Sequence, residues 1–195
     1  MLQITEKMTS LLYKIELFIN ELDEETIYAF KDISKDKFYK KGEMLLREGD
    51  ICRKSILIKD GIVRKFHNFD GKEIITELLF KDDLALSFSS YVMETSSQEN
   101  IQALSDTYAV ETDYSAFQNL KNKYPALIRL DLMLTELYAI WMEQSLINLR
   151  TLNATDRYKL LIEKEPHILK YISLTDIASY LGMSLETLSR IRSKI

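Results

Sequence analysis

The chain has 195 residues, 46% of them hydrophobic and 10% aromatic, with a net charge of −4 and one cysteine. This composition excludes a chain that is disordered as a whole, and the length favours one large domain or two modest ones. The single cysteine excludes an intrachain disulfide and fits a reducing compartment, and no apolar run approaches the roughly 18 residues that cross a bilayer. We therefore expect a cytoplasmic protein without a membrane partner.

The charge is unevenly distributed along the chain. Residues 150–195 hold eight Lys or Arg against five Asp or Glu, whereas residues 1–149 hold 18 against 25. An acidic body would repel DNA and a mildly basic C-terminal segment would contact it. This asymmetry favours a small DNA-reading module at the C-terminus, with affinity that depends on two copies.

The first two thirds of the chain change from a helical pattern to a strand pattern. Residues 1–33 carry a loose apolar stripe at helical spacing, and residues 38–111 carry short β-rich segments. Asp-Gly pairs at Asp60-Gly61 and Asp70-Gly71 separate some of these segments, which is a strong hairpin signal. The pattern predicts a compact antiparallel sandwich or roll.

A helix of about 25 residues is predicted after Pro125, ending near Leu149. One face has the alternating three- and four-residue spacing of a coiled-coil seam: Leu127, Leu130, Leu134, Leu137 and Trp141. A second apolar stripe contains Met133, Ile140 and Ile147. A helix that is apolar on two sides needs two covers, which we expect to be its own sheet domain and a partner subunit. A simple buried core helix is the alternative.

The C-terminal segment predicts a helix-turn-helix. Asn153 begins a short helix that ends near Lys164, and two amphipathic helices then fit residues 172–195. Gly182 supplies the permissive backbone for the turn between them, and Ser184 is a natural N-cap for the second helix. This order of helix, glycine turn and capped helix is typical of DNA-binding proteins.

The outward residues of the second helix suit a DNA major groove. Arg190 can pair with guanine and Glu186 with cytosine, with Ser189 beside them. Further contacts are predicted to phosphates, from Thr175, Ser184, Thr187 and Arg192. Glu186 and Arg190 are also four residues apart on a helix, so an ordinary surface ion pair is the alternative, and Arg192 could equally be solvated surface charge.

These features together resemble the Crp/Fnr superfamily of bacterial transcription regulators. The motifs that carry the resemblance are Tyr39-Lys40-Lys41-Gly42-Glu43, Glu48-Gly49-Asp50, Ile58-Lys59-Asp60-Gly61, Asp70-Gly71-Lys72-Glu73 and Glu186-Thr187-Leu188-Ser189-Arg190. The last of these matches the E-x-x-S-R pattern of the Fnr branch, in which the glutamate and the arginine read bases and the serine assists.

The resemblance implies an α+β chain with three parts. A cyclic-nucleotide-binding-like antiparallel β-roll would span 1–120, a dimerisation helix 121–149, and a helix-turn-helix domain 150–195. Leu185 stands where catabolite-activator-type members often carry arginine, and the sequence ends at Ile195, directly after the recognition helix. We therefore expect no full β-hairpin wing, either because the member is short or because the chain is truncated.

The resemblance also implies a function. The expected protein is a homodimeric regulator that reads a palindromic operator in double-stranded DNA, with RNA polymerase as a further partner of an activator. The alternative is a sensor or interaction module whose shortened C-terminal domain does not bind DNA.

The sensor region departs from members that bind cyclic AMP. In those members a Gly-Glu segment and an arginine hold the ribose and the phosphate; here residues 84–104 lack the Gly-Glu, and Ser97 or Gln98 stands in place of the arginine. Because a phosphate without a cation is costly to desolvate, we do not expect cyclic AMP to bind. A different small-molecule effector would be lined by Ser87, Ser89, Tyr91, Ser96 and Ser97. A roll that binds nothing is the other reading.

Catalysis and resident metals are not expected. The sequence has no phosphate loop, no G-x-S-x-G motif and no zinc-ligand spacing. Cys52 alone cannot hold an iron–sulfur cluster, and haem would need an isolated histidine, His67 or His167. We therefore predict a non-enzymatic protein without a cofactor.

Overall fold

The computed structural model describes residues 2–194, with side chains described from residue 11 onward. Met1 and Ile195, which the predicted domain ranges include, lie outside the described residues. The helices are α1 (Leu2–Asn20), α2 (Glu24–Asp32), α3 (Phe88–Met93), α4 (Tyr114–Lys123), α5 (Ala126–Thr151), α6 (Ala154–Lys164), α7 (Leu174–Tyr180) and α8 (Leu185–Arg192). The strands are β1 (Ser34–Tyr39), β2 (Met44–Leu46), β3 (Lys54–Asp60), β4 (Val63–Phe69), β5 (Lys72–Leu79), β6 (Leu84–Ala85), β7 (Asn100–Ala103) and β8 (Thr107–Asp113).

The chain divides into two compact units. The first combines residues up to 33 with residues 115–151, and the second combines residues 34–114 with residues 152–195. The predicted fold class is confirmed: antiparallel strands form a roll, and a long helix and several C-terminal helices follow it. In the described part of the chain, no helix is long and apolar enough to cross a membrane.

The first unit is a helical cluster around the start of α5. Its buried core consists of Ile15, Phe117, Leu127 and Leu130, and Phe30 packs edge-on against Phe117 with ring centroids 5.8 Å apart. Asp23 caps α2 by accepting the Thr26 N–H at 2.7 Å, which satisfies one of the unpaired donors at the helix start. The unit thus buries one face of α5 under helices of the same chain.

The roll of the second unit consists of two four-stranded sheets. Their strand orders are β1-β8-β3-β6 and β2-β7-β4-β5, with every pair antiparallel. The Asp70-Gly71 turn has positive φ at both residues, 49° and 71°, which matches the twist of a tight hairpin and joins β4 to β5 as predicted. The hairpin signal at Asp60-Gly61 is wrong, because β3 and β4 on either side of it belong to different sheets. The interior contains residues from both sheets: Tyr39, Ile56, Ile58, Val63, Leu79, Ala85, Ile101, Ala103 and Ala109.

The C-terminal helices pack on the outer face of the β4–β5 hairpin. Phe66, Ile75 and Leu78 of the hairpin are buried in one core with residues of α6, α7, α8 and the turn after α7, among them Tyr158, Leu161, Ile177, Leu181, Leu188 and Ile191. Successive residues of a strand point to opposite faces, so Leu79 lies in the interior of the roll while Leu78 contacts the C-terminal helices. The same two strands therefore serve two cores.

Candidate nucleic-acid interface, effector region and dimer helix

The turn between α7 and α8 has the geometry that a helix-turn-helix needs. Gly182 has φ +62°, the Met183 N–H donates to the Ala178 carbonyl at 3.0 Å, and the Gly182 N–H donates to the Ser179 carbonyl at 3.0 Å. This pair of bonds is a Schellman motif, which stops a helix and favours glycine at the left-handed position. Ser184 then starts α8 by accepting the Thr187 N–H at 3.2 Å.

Helix α8 has one buried face and one exposed face. Leu188 and Ile191 are buried in the core, whereas Glu186, Ser189 and Arg190 are exposed. Among the described residues no ion pair joins Glu186 to Arg190, so the surface ion pair considered above is not formed here. The pKa of Glu186 is lowered because its own backbone N–H and the Ser184 hydroxyl at the helix start bind the carboxylate. The face thus presents an anion and a cation.

The remaining predicted DNA contacts fall into two groups. Thr175, in the first turn of α7, and Arg192, at the end of α8, are exposed. Ser184 is also exposed and Thr187 is half-buried; both take part in the helix cap, in which Ser184 accepts the Thr187 N–H and the two hydroxyl oxygens lie 3.1 Å apart. Each of these side chains is thus tied to the start of α8.

A polar groove that sequence reasoning missed lies beside α8. It is lined by residues of α8 and of the start of α6: Asn153, Ala154, Thr155, Asp156, Lys159, Thr187, Arg190, Ile191 and Lys194. Its volume is about 630 Å³. The sequence indicated the cap at Asn153, but only the packing of α6 on α8 brings Lys159 close to Arg190.

The candidate effector residues separate into buried and exposed side chains. Ser87, Tyr91 and Ser97 are buried, whereas Ser89 and Ser96 are exposed. The Ser97 hydroxyl lies 3.1 Å from the Ser87 hydroxyl and 2.8 Å from the Glu99 carbonyl, and it accepts the Glu99 N–H at 3.1 Å. The structure therefore brings Ser87 and Ser97 together inside the roll, already hydrogen-bonded to each other.

A buried ionic network lies next to this serine pair, and sequence reasoning missed it as well. The Lys65 ammonium, 4% exposed, lies 2.6 Å from the Glu77 carboxylate and 3.5 Å from the Glu99 carboxylate. The Glu99 carboxylate also lies 3.7 Å from His67. One lysine within a strand gave no signal of burial, because its burial depends on the two glutamates that other strands and loops place opposite it.

The predicted dimer seam on α5 needs a correction. Leu127 and Leu130 are buried in the core of their own unit, 0% and 7% exposed, which fits the alternative of a buried core helix for these two residues and leaves them no surface for a partner. Leu134 and Leu137 pack against the same core, and Trp141 stacks on Tyr138 with ring centroids 5.9 Å apart. The other buried residues of this core, Ile15 and Phe117, belong to α1 and α4, so helices and not the sheet domain cover these two leucines. The stripe that begins at Leu127 and Leu130 is thus used for packing within the chain.

A second seam on α5 is exposed. Its residues repeat at spacings of four and three: Ile128, Leu132, Thr135, Ala139, Met142, Leu146 and Leu149. Leu132 and Leu146 are 56% and 54% exposed.

Within the described residues no cluster of three or more histidine, cysteine or acidic side chains could hold a metal ion.

Comparison with known proteins finds a family match within the roll and solved structures with a similar fold. Residues 36–124 match the cyclic nucleotide-binding domain family. The structure is similar to FixK2 from Bradyrhizobium japonicum, with a TM-score of 0.70 and 21% identity over 83% of this chain and 84% of that one. It is similar also to the c-di-GMP-responsive global regulator CLP from Xanthomonas campestris, with a TM-score of 0.68 and 19% identity over 88% and 91% of the two chains.

A protein assigned to the Crp/Fnr family of transcriptional regulators from Eubacterium rectale gives a similar result. Its TM-score is 0.67 and its identity 21%, over 90% of this chain and 84% of that one. No curated protein matches the chain in sequence. The resemblance to Crp/Fnr regulators is confirmed at the level of the fold.

Proposed function

We propose that this chain, which has the fold of Crp/Fnr regulators, is a homodimeric DNA-binding transcription regulator with α8 as its reading helix. The observation that carries the proposal is the exposed face of α8. Glu186, Ser189 and Arg190 lie on this face after a capped helix start, while Leu188 and Ile191 fix the opposite face in the core. A helix held in this way can enter a major groove with its N-terminal residues on the base edges.

The groove beside α8 supports the same proposal. Lys159, Arg190 and Lys194 line it, and among the described residues none of the three forms a salt bridge. Cations without carboxylate partners can bind phosphates at no cost of breaking an internal pair. We assign the groove to the DNA backbone and the outward face of α8 to the bases.

Selection from a random duplex library tests the proposal. We expect the intact protein to enrich palindromic sequences with half-sites about one helical turn apart. Arg190→Ala should weaken binding to the selected duplex by about tenfold or more and relax the preference at one base pair of each half-site, because a bidentate contact discriminates by about 1–3 kcal/mol. Glu186→Ala should relax a different position.

The controls are Lys170→Ala, which matches Arg190 in sign, and Glu163→Ala, which matches Glu186 in sign; both remove exposed charges that lie outside α8. Neither should change the selected sequence. If the intact protein enriches no palindrome, the proposal fails and a roll-based module that does not bind DNA takes its place.

We propose that the exposed seam of α5 forms the dimer. Its four-three spacing is that of a two-stranded coiled coil, and five of its seven residues are aliphatic side chains larger than alanine that the chain itself leaves exposed. A second copy that places its own seam opposite would bury this stripe. Two reading helices would then be related by a two-fold axis, as a palindrome requires.

Substitutions distinguish the exposed seam from the stripe of Leu127, Leu130, Leu134, Leu137 and Trp141 as the dimer contact. Leu132→Lys with Leu146→Lys should give a monomer by sedimentation equilibrium, whereas Glu136→Lys with Glu143→Lys, off the seam and exposed, should remain dimeric. Leu127→Ala should leave the dimer intact and lower the free energy of unfolding by about 2–5 kcal/mol. A dimer that survives both lysines on the seam would overturn this assignment.

A further inference from the structure

Arg64 on β4 connects the roll to the C-terminal helices through several bonds. Its residue is 8% exposed, and its Nη1 lies 2.9 Å from the Asp176 carboxylate on α7. Nη2 lies 2.7 Å from the Glu73 carboxylate on β5, and Nε and Nη2 donate to the Gln102 side-chain oxygen on β7. The guanidinium also lies 4.3 Å from the centre of the Phe66 ring. The planar fork thus joins three strands to α7.

Ser179 makes two further hydrogen bonds between α7 and the roll, independent of Arg64. Its hydroxyl accepts the Ile75 N–H at 3.0 Å and lies 3.1 Å from the Glu73 carbonyl, to which it donates. Strand β5 is the edge strand of its sheet, so these backbone groups have no neighbouring strand to pair with. A serine of the helix-turn-helix therefore satisfies the edge of the sheet.

Apolar packing completes the contact. Ile177 of α7 and Leu181, which follows the end of α7, share a core with Phe66, Ile75 and Leu78 of the hairpin. The same core contains Leu188 of α8, which is 0% exposed. The position of α8 is thus tied to β4 and β5 through α7.

We propose that Arg64 and Ser179 latch the helix-turn-helix to the β4–β5 hairpin, so that the reading helix is positioned by the roll. The latch leaves Glu186, Ser189 and Arg190 exposed, which means that it fixes the position of α8 without covering these three side chains. Because the reader is held before it meets DNA, binding does not incur the cost of ordering it. This consequence for DNA rests on the proposed function; the latch itself does not.

Hydrogen exchange of the full-length protein, measured by mass spectrometry, tests the latch. Arg64→Gln removes the fork, and Ser179→Ala removes only the bonds to the edge strand. We expect both to accelerate exchange in α7 and α8 while leaving β1 and β8 unchanged, because the core of the roll does not use either side chain. Lys72→Gln, on the same hairpin with an exposed side chain and no salt bridge among the described residues, is the matched control and should change neither region.

DNA binding gives the second readout. On a duplex selected by the intact protein, both variants should bind at least about fivefold more weakly, with the selected sequence and the salt dependence unchanged, because no phosphate or base contact is lost. Unchanged exchange in α7 and α8 would overturn the latch whether or not the chain binds DNA. Tighter binding by the variants would overturn the positioning role in favour of autoinhibition. Absence of any binding by the intact protein would overturn the proposed function alone.

Discussion

The charges of α8 and those of β4 differ in one respect that decides what each can do. Glu186 and Arg190 are exposed and form no ion pair within the described residues, whereas Arg64 and Lys65 are buried and each lies within 4 Å of two carboxylates. An exposed charge without a partner can bind a ligand at little desolvation cost. A buried charge with ion-pair partners fixes the positions of the elements that it joins, and removal of one partner destabilises the fold.

The same contrast bears on what the roll can bind. Lys65 is a cation inside the roll, but Glu77 and Glu99 already surround it, and Ser97 already contacts Ser87. An anionic ligand that used Lys65 would have to displace a carboxylate at 2.6 Å. The arrangement favours a scaffold, or an effector that is not a phosphate.

The first prediction concerns the buried charges around Lys65 and has the largest expected effect. Lys65→Met removes the ammonium that lies 2.6 Å from the carboxylate of Glu77, 8% exposed, and 3.5 Å from that of Glu99, 13% exposed. Loss of one partner of a buried ion pair costs about 3–5 kcal/mol, because the other charge remains desolvated. Denaturant unfolding followed by circular dichroism measures the change.

A matched control and a repair variant make this prediction sharper. Lys72→Met removes an exposed lysine of the neighbouring strand and should change the free energy of unfolding by less than about 0.5 kcal/mol. The double variant Lys65→Met with Glu77→Leu replaces the pair with apolar side chains and should recover much of the loss. Equal effects of Lys65→Met and Lys72→Met would show that the buried network does not stabilise the roll.

Local signals explain which parts of this molecule could be predicted from sequence. The Asp70-Gly71 hairpin and the α7–Gly182–α8 turn each depend on a few adjacent residues whose backbone preferences are intrinsic. The roll and the exposed face of α8 followed from such signals. The sequence indicated Ser87 and Ser97 as candidate effector residues but did not predict the contact between them inside the roll.

Contacts distant in sequence explain what could not be predicted. On α5 two stripes both have three- and four-residue spacing, and only α1, α2 and α4 decide that Leu127 faces inward and Leu132 outward. Arg64 and Asp176 are 112 residues apart, and neither residue type in its local pattern indicates burial. Pairing of this kind belongs to the tertiary fold and has no local pattern.

The second prediction concerns Asp83, whose carboxylate is partly buried and, among the described residues, forms no salt bridge; it is intermediate between the exposed charges of α8 and the buried charges of β4. The pKa of Asp83 is raised to about 6, chiefly by burial and with smaller contributions from the carboxylates of Glu165, Glu77 and Asp82, while the Phe80 N–H that Asp83 accepts at 2.8 Å opposes the shift. Among the described residues no salt bridge includes Asp83. The ionised form is therefore disfavoured in the folded protein.

The sign of the effect follows from the raised pKa. The folded value of about 6 exceeds the ordinary value of 3.8, so the contribution of Asp83 to stability is complete below about pH 4 and is lost as the pH rises through 6. Asp83→Asn keeps an acceptor for the Phe80 N–H and removes the charge. We expect the variant to match the wild type near pH 4 and to exceed its free energy of unfolding by about 1 kcal/mol near pH 7.5. Denaturant unfolding at the two pH values measures the difference, and a gain of equal size at both would show that the lost charge is not its cause.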